Sequence, residues 1–181
     1  MEITIFGKGN MGKAIGGNFE KAGNRVTYGG RDFKGSLGDV VVLAVPYSAV
    51  DSILAAHKDE LAGKVLVDIT NPVNFDTFDG LVVPADSSAA AEIQKKVPEA
   101  LVVKAFNTTF AGVLAAGKVG DKEPAVVLAA SDSEEAKKTL AEALEGSGLS
   151  VVDAGSLKRT REMEALGFLQ SSLAAREKMS W

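Results

Sequence analysis

The chain has 181 residues, 46% of them hydrophobic, with a net charge of −4, no cysteine and one histidine. An acidic balance argues against nucleic acid as a partner, the lack of cysteine excludes disulfides and thiolate chemistry, and a single histidine excludes a histidine-built metal cluster. No stretch approaches the about 20 apolar residues of a membrane span, and the N-terminus opens directly on a strand pattern with no leader, so a cytoplasmic protein folded as one domain over 1–181 is expected.

Ile3, Ile5 and Phe6 read as a buried strand that runs into Gly7-Lys8-Gly9-Asn10-Met11-Gly12, a Gly-x-Gly-x-x-Gly pattern. Met11, Ile15, Phe19 and Ala22 then share one helical face. Strand, glycine turn and helix form the context in which such a motif holds a dinucleotide. Gly7 permits the tight turn, Gly9 lets the backbone approach a pyrophosphate and Gly12 lets the helix pack on the strand. The helix start adds free N–H groups and a positive dipole end.

The second strand, Arg25 to Tyr28, ends at Gly29-Gly30-Arg31. NAD-binding domains usually carry an acidic residue here for the ribose 2′-hydroxyl. A guanidinium with no preceding carboxylate suits a 2′-phosphate instead, so NADP (NADPH) is the expected cofactor. Four glycines between Gly29 and Gly38 predict a loop, not a helical crossover, before the next strand.

Val40 to Val45 and Lys64 to Ile69 are two further strands, followed by Pro46 and by Thr70-Asn71-Pro72 at what becomes the carboxyl edge of a parallel sheet. Between them a helix over 48–61 carries His57 on its inner stripe, which reads as a packed residue rather than a catalyst. Asn71 can both donate and accept, as a ribose or carboxamide requires, or it can hold a turn before proline. The irregular stretch from Val73 to Asp86, with Phe75 and Phe78, is long enough to wall a substrate pocket. A helix over 87–96 leads to the fifth strand, Leu101 to Phe106, which delivers Asn107-Thr108-Thr109. Thr108 is expected to cap a helix ending near Gly117. A sixth strand (125–130), a helix opened by Ser133, a seventh strand (149–153) and a final helix over about 158–178 complete the pattern. The last helix carries Met163, Leu166, Leu169 and Leu173 as one stripe, core or subunit interface, with Gly167 allowing close contact. The sum is an α/β, Rossmann-type doubly wound, mostly parallel sheet with helices on both faces.

With these segments placed, the chain resembles the NADP-dependent oxidoreductases of the coenzyme F420-dependent type, a group that includes F420H2:NADP oxidoreductase and the cytoplasmic domain of the STEAP metalloreductases. The carriers are Gly7 to Gly12, Gly30-Arg31, Ala44-Val45-Pro46, Asp68 to Pro72, Lys104 to Thr108, Asp153 to Leu157 and Arg161-Glu162-Met163-Glu164. The resemblance implies that the glycine motif holds the pyrophosphate and that Gly30 and Arg31 lie at the 2′-phosphate. It further implies that Ala44, Val45, Pro46, Asn71, Pro72 and Asn107 line the nicotinamide and its acceptor. Gly30 stands where relatives often place a serine. The implied activity is hydride transfer between NADPH and a flavin- or deazaflavin-like, or other small, acceptor. Such a step needs alignment more than a proton-moving side chain, and no catalytic acid, base or metal ligand is expected. The alternative is a non-catalytic NADP(H)-binding redox sensor or partner subunit. A homodimer through the last helix is expected, since only that helix can complete a substrate pocket.

Overall fold

In the computed structural model, residues 1–30, 32–120 and 123–176 are described. Strands β1 (Glu2–Phe6), β2 (Arg25–Gly29), β3 (Val40–Leu43), β4 (Val65–Asp68) and β5 (Leu101–Ala105) form the parallel part of the sheet. A small ribbon of β6 (Lys118–Val119) and β7 (Glu123–Pro124) precedes β8 (Val126–Ala130) and β9 (Ser150–Gly155). The seven-stranded sheet runs β2-β1-β3-β4-β5-β8-β9, with β8 antiparallel to β5. Helices are α1 (Asn10–Lys21), α2 (Tyr47–His57), α3 (Ala89–Lys96), α4 (Ala111–Ala116), α5 (Glu134–Ala143) and α6 (Thr160–Ala175). None of the described helices is long and apolar enough to cross a membrane.

Strand periodicity divides the core into two layers. Ile3, Ile5, Val40, Val42, Val65 and Val67 face α1, α4 and α5, where Ile15, Phe19, Leu114 and Leu140 meet them. Phe6, Val41, Leu43 and Leu66 face the other way, onto Val50 and Leu54 of α2 and Ile93 of α3. Burial on both faces is why these strands are apolar throughout rather than alternating. The described residues of the link from β2 to β3 hold no helix, as its glycines predicted, and β2 is left as an edge strand with alternate residues exposed. His57 is packed, 8% exposed, against the rings of Phe6 and Phe33 and beside Glu60.

Two expectations need correcting, and one element was not foreseen. Thr108 does not cap α4. The helix starts two residues later with Phe110 at the cap position and no side-chain cap, although it ends as expected at Gly117 in a left-handed conformation (φ 70°). The β6–β7 ribbon gave no sequence signal, since each strand has only two residues. The apolar stripe of α6 splits. Met163 is buried, while Leu166 and Leu169 are 43% and 52% exposed, and the inward face is built from Thr160, Glu164, Gly167 and Ser172.

Candidate functional site

From β1 the chain passes to β2 on one side, then to β3 on the other, so the order reverses between β1 and β3. Ligands of open α/β sheets bind in the crevice beyond the carboxyl ends at such a point. Gly7 leaves β1 there with φ 109°, and a Cβ on it would stand 2.1 Å from the Ala44 carbonyl oxygen after β3. A Cβ on Gly12 would lie 2.2 Å from the Gly7 carbonyl oxygen, so α1 closes directly onto the turn. A Cβ on Gly9 meets nothing within 4 Å. The first and third glycines are therefore required by the protein's own packing, and the second faces open space at the start of a 12-residue helix.

A cleft of about 870 Å³ opens beside this turn, lined by Gly7, Lys8, Tyr28, Gly30, Val45 and Ser52 among others. The Lys8 ammonium sits 5.4 Å from the Tyr28 ring centroid. Arg31 lies outside the described residues; its neighbour Gly30 lines the cleft. Ser48 and Ser52, on the first turns of α2, also line it and were not singled out in the sequence, where nothing marks a serine on a helix as edge-facing.

A second cleft, about 380 Å³, continues along the edge past Gly9, Asn10, Met11, Ala44, Pro46 and Asn71. Val45 lines both. Asn107 lines a smaller recess of about 170 Å³ that shares Met11 and Asn71 with the second cleft. Of the expected site residues that are described, Gly12 and Pro72 line none of these clefts: both are buried, and the Pro72 carbonyl accepts from Val82 N at 2.7 Å.

Asn71 and Asn107 are joined to each other. The Asn107 amide donates to Asn71 Oδ1 (2.8 Å) and to the Met163 carbonyl (3.0 Å), and Asn71 Nδ2 donates to the Asn107 carbonyl (2.9 Å). Phe106, just before, takes φ 62°, an uncommon conformation for a bulky residue that these bonds hold in place. Asn71 thus serves the turn, and its side chain is committed to the protein. Two buried polar atoms, Thr70 Oγ1 and Asn107 Oδ1, have no partner among the described residues.

Beneath this edge lies a buried ion cluster. Lys104 Nζ is 2.7 Å from both Asp68 Oδ2 and Glu164 Oε1 and also donates to the Thr70 carbonyl. All three charged side chains are at most 1% exposed. Glu164 in turn accepts from Ala89 N (2.8 Å) and Ala90 N (3.2 Å) at the start of α3. Burial raises the Glu164 carboxyl above its ordinary range, against the pull of Lys104, with Asp68 pushing the same way as burial. Burial, with the nearby carboxylates of Asp51 and Asp68, pushes the Tyr47 hydroxyl up to about 12. Lys104 is therefore a structural cation and Tyr47 stays protonated at neutral pH.

A reversed strand order, a glycine turn opening a helix at the reversal and clefts on both sides of that turn define a Rossmann-type protein of the dinucleotide-binding class. The family model for NADP oxidoreductase, coenzyme F420-dependent, matches residues 34–72. The chain is 33% identical to the F420-dependent NADP reductase of Methanocaldococcus jannaschii, over 71% of this chain and 59% of that protein. It is 30% identical to rat metalloreductase STEAP3, over 91% of this chain but 36% of the relative. A crystal structure of a candidate F420-dependent NADP reductase from Arthrobacter sp. FB24 superposes with a TM-score of 0.83 at 26% identity, covering 99% of this chain and 96% of that one. By these matches the chain is similar to NADP oxidoreductases of the coenzyme F420-dependent type, and it spans between about a third and three-fifths of the length of the two curated relatives.

Proposed function

We propose that the chain binds NADP(H) along the carboxyl edge and passes a hydride from NADPH to a small acceptor, a flavin- or deazaflavin-like ring being the leading class. The observation that carries this reading is the continuity of the cleft from Lys8, Tyr28 and Gly30, past the glycine turn, to Pro46 and Asn71. The residues present fit the cofactor. Gly9 leaves open the space that a pyrophosphate needs, and the α1 N-terminus has no acidic residue in its first turn to oppose it. Lys8 lines this cleft and Arg31 follows Gly30 in sequence, and their positive charge is assigned to the 2′-phosphate in place of the serine that Gly30 replaces. Thr70 and Asn107 retain unused hydrogen-bonding capacity beside the nicotinamide end.

The bound cofactor supplies the hydride; with one proton from water, the acceptor leaves reduced and NADP⁺ remains. The protein aligns the two rings and keeps the edge partly dry, and no side chain is asked to move a proton. With its hydroxyl near 12, Tyr47 is a poor base at neutral pH. An NADPH-using reductase of this kind would draw on the cytoplasmic pool of that cofactor. The outward stripe of Leu166 and Leu169 supports a homodimer through α6; light scattering that gives a monomer at micromolar concentration would remove the dimer from the proposal.

Fluorescence titration of NADPH against NADH, in wild type and Arg31→Ala, tests the cofactor assignment. Loss of a charge-assisted phosphate contact is expected to weaken NADPH about ten- to a hundredfold, roughly 1.5–3 kcal/mol, and to leave NADH unchanged. NADPH oxidation with a panel of ring acceptors then separates an oxidoreductase from a non-catalytic NADP(H)-binding module.

A further inference from the structure

The acceptor end of the edge is walled by the loop after β4. That loop is built: Val73 bridges Leu81, Asn74 N donates to the Gly80 carbonyl (2.9 Å), and Asn74 Oδ1 accepts from Asp76 N (3.0 Å) and Thr77 N (3.3 Å). It displays Phe75 with 62% of its surface exposed, edge-on to Phe78 with ring centroids 5.4 Å apart. Phe75, Tyr47 and Val73 line both the second cleft, of about 380 Å³, and an adjoining one of about 440 Å³, so the two meet across these side chains. A large apolar ring held in water by an ordered loop, on the wall of a cleft, is surface that gains by being covered.

The charge of this end is opposite to that of the other. Asp51 and Asp76 line the outer cleft. Asp51 is partly offset by Lys96 at 2.5 Å, whereas Asp76 has no ion pair among the described residues. The sequence has no lysine or arginine from 65 to 94, and Asp79 and Asp86 lie in the same loop. Lys8, by contrast, lines the cleft at the far end.

From this aromatic wall and this charge, and resting on the hydride-transfer reading above, we propose that the acceptor half of the cleft selects a planar ring that is uncharged or cationic and discriminates against the same ring carrying an anionic tail. Phe75 supplies the stacking face. Asp76 supplies the discrimination, by like-charge repulsion of a phosphate or carboxylate tail that leaves through the outer cleft. The cationic end is left for the phosphates of the dinucleotide, so the field along the edge also sets which end each molecule takes.

Riboflavin and FMN carry the same ring and differ in a phosphate, which makes them a matched pair. Their affinities are read by quenching of flavin fluorescence at low salt, with the full chain both free and saturated with NADP⁺. Riboflavin is expected to bind about five- to tenfold more tightly than FMN, with the gap shrinking as salt is raised. Asp76→Lys is expected to abolish or invert the preference, and Phe75→Ser to weaken both flavins at least about tenfold. FMN binding as tightly as riboflavin, a preference untouched by Asp76→Lys, or no binding of either ring would overturn the proposal. NADPH affinity measured on the same samples keeps the readings apart: its absence would overturn the cofactor assignment, whereas the flavin comparison in the free chain still decides the acceptor proposal.

Discussion

Gly9 and Gly12 occupy the same motif but answer to different demands. A Cβ at Gly12 would press on the Gly7 carbonyl at 2.2 Å, and the backbone must move to admit it. Gly12→Ala is expected to destabilise the fold by about 1–3 kcal/mol in denaturant titration. A Cβ at Gly9 meets nothing, and its backbone (φ −69°) suits any residue. Gly9→Ala is expected to cost under about 1 kcal/mol as a poorer cap, yet to weaken NADPH about tenfold or more, because only a bound pyrophosphate would contest that space. A variant that melted early with NADPH affinity intact would reverse the assignment of Gly9. Lys104 shows the opposite economy. Lys104→Met would leave two carboxylates facing each other in the core without their cation and is expected to destabilise by about 3–5 kcal/mol, read by denaturant titration. That cluster was partly legible. Asp68 and Lys104 are the charged residues in two otherwise apolar strands, and they are paired in register across β4 and β5.

At the scale of elements, α6 fixes the far side of the site. Its Glu164 caps α3, its Thr160 hydroxyl meets Ser88 Oγ at 2.6 Å, and its Gly167 lies against Asn71, whose amide a Cβ would meet at 2.4 Å. Glu164→Gln keeps the shape but sets an amide NH₂ group against donors, and a loss of about 2–4 kcal/mol at neutral pH is expected. Because burial raises the Glu164 carboxyl in the folded state, its favourable contribution is full below the ordinary carboxylate range and declines as pH rises through the elevated value. The stability gap between wild type and Glu164→Gln is therefore expected to be wider near pH 5 than near pH 8 in parallel melts; a gap that widened with pH would mean the carboxylate is favoured in its charged form. The position of this helix was readable from its periodicity and its orientation was not. Hydrophobic patterning leaves the leucine stripe open as core or interface, and the inner face is largely polar, with Thr160, Glu164 and Gly167 met by partners far away in sequence. Local periodicity holds no record of such partners, whereas strand ends and glycine turns are set by neighbouring residues and were read within a residue or two.

For the whole molecule, the residues assigned to the cofactor come from the ends of β1, β2, β3, β4 and β5, segments that meet only when the sheet is formed. A ligand held by all of them binds the native state and has no counterpart in the unfolded chain. NADPH at about a hundred times its dissociation constant should then add about 2.7 kcal/mol to unfolding, a rise in Tm of roughly 5–10 °C for a chain of this size. The same concentration of NADH lacks the 2′-phosphate contact and is expected to give a clearly smaller rise, and Arg31→Ala should bring the two nucleotides together by lowering the NADPH shift alone. The chain spans only part of its longer relatives, so the size of the shift also asks whether this sheet edge suffices for tight cofactor binding. A shift near zero with saturating NADPH would mean that the edge needs further protein to hold the dinucleotide. Equal shifts for both nucleotides in wild type would keep the fold's reading and remove Arg31 from the site.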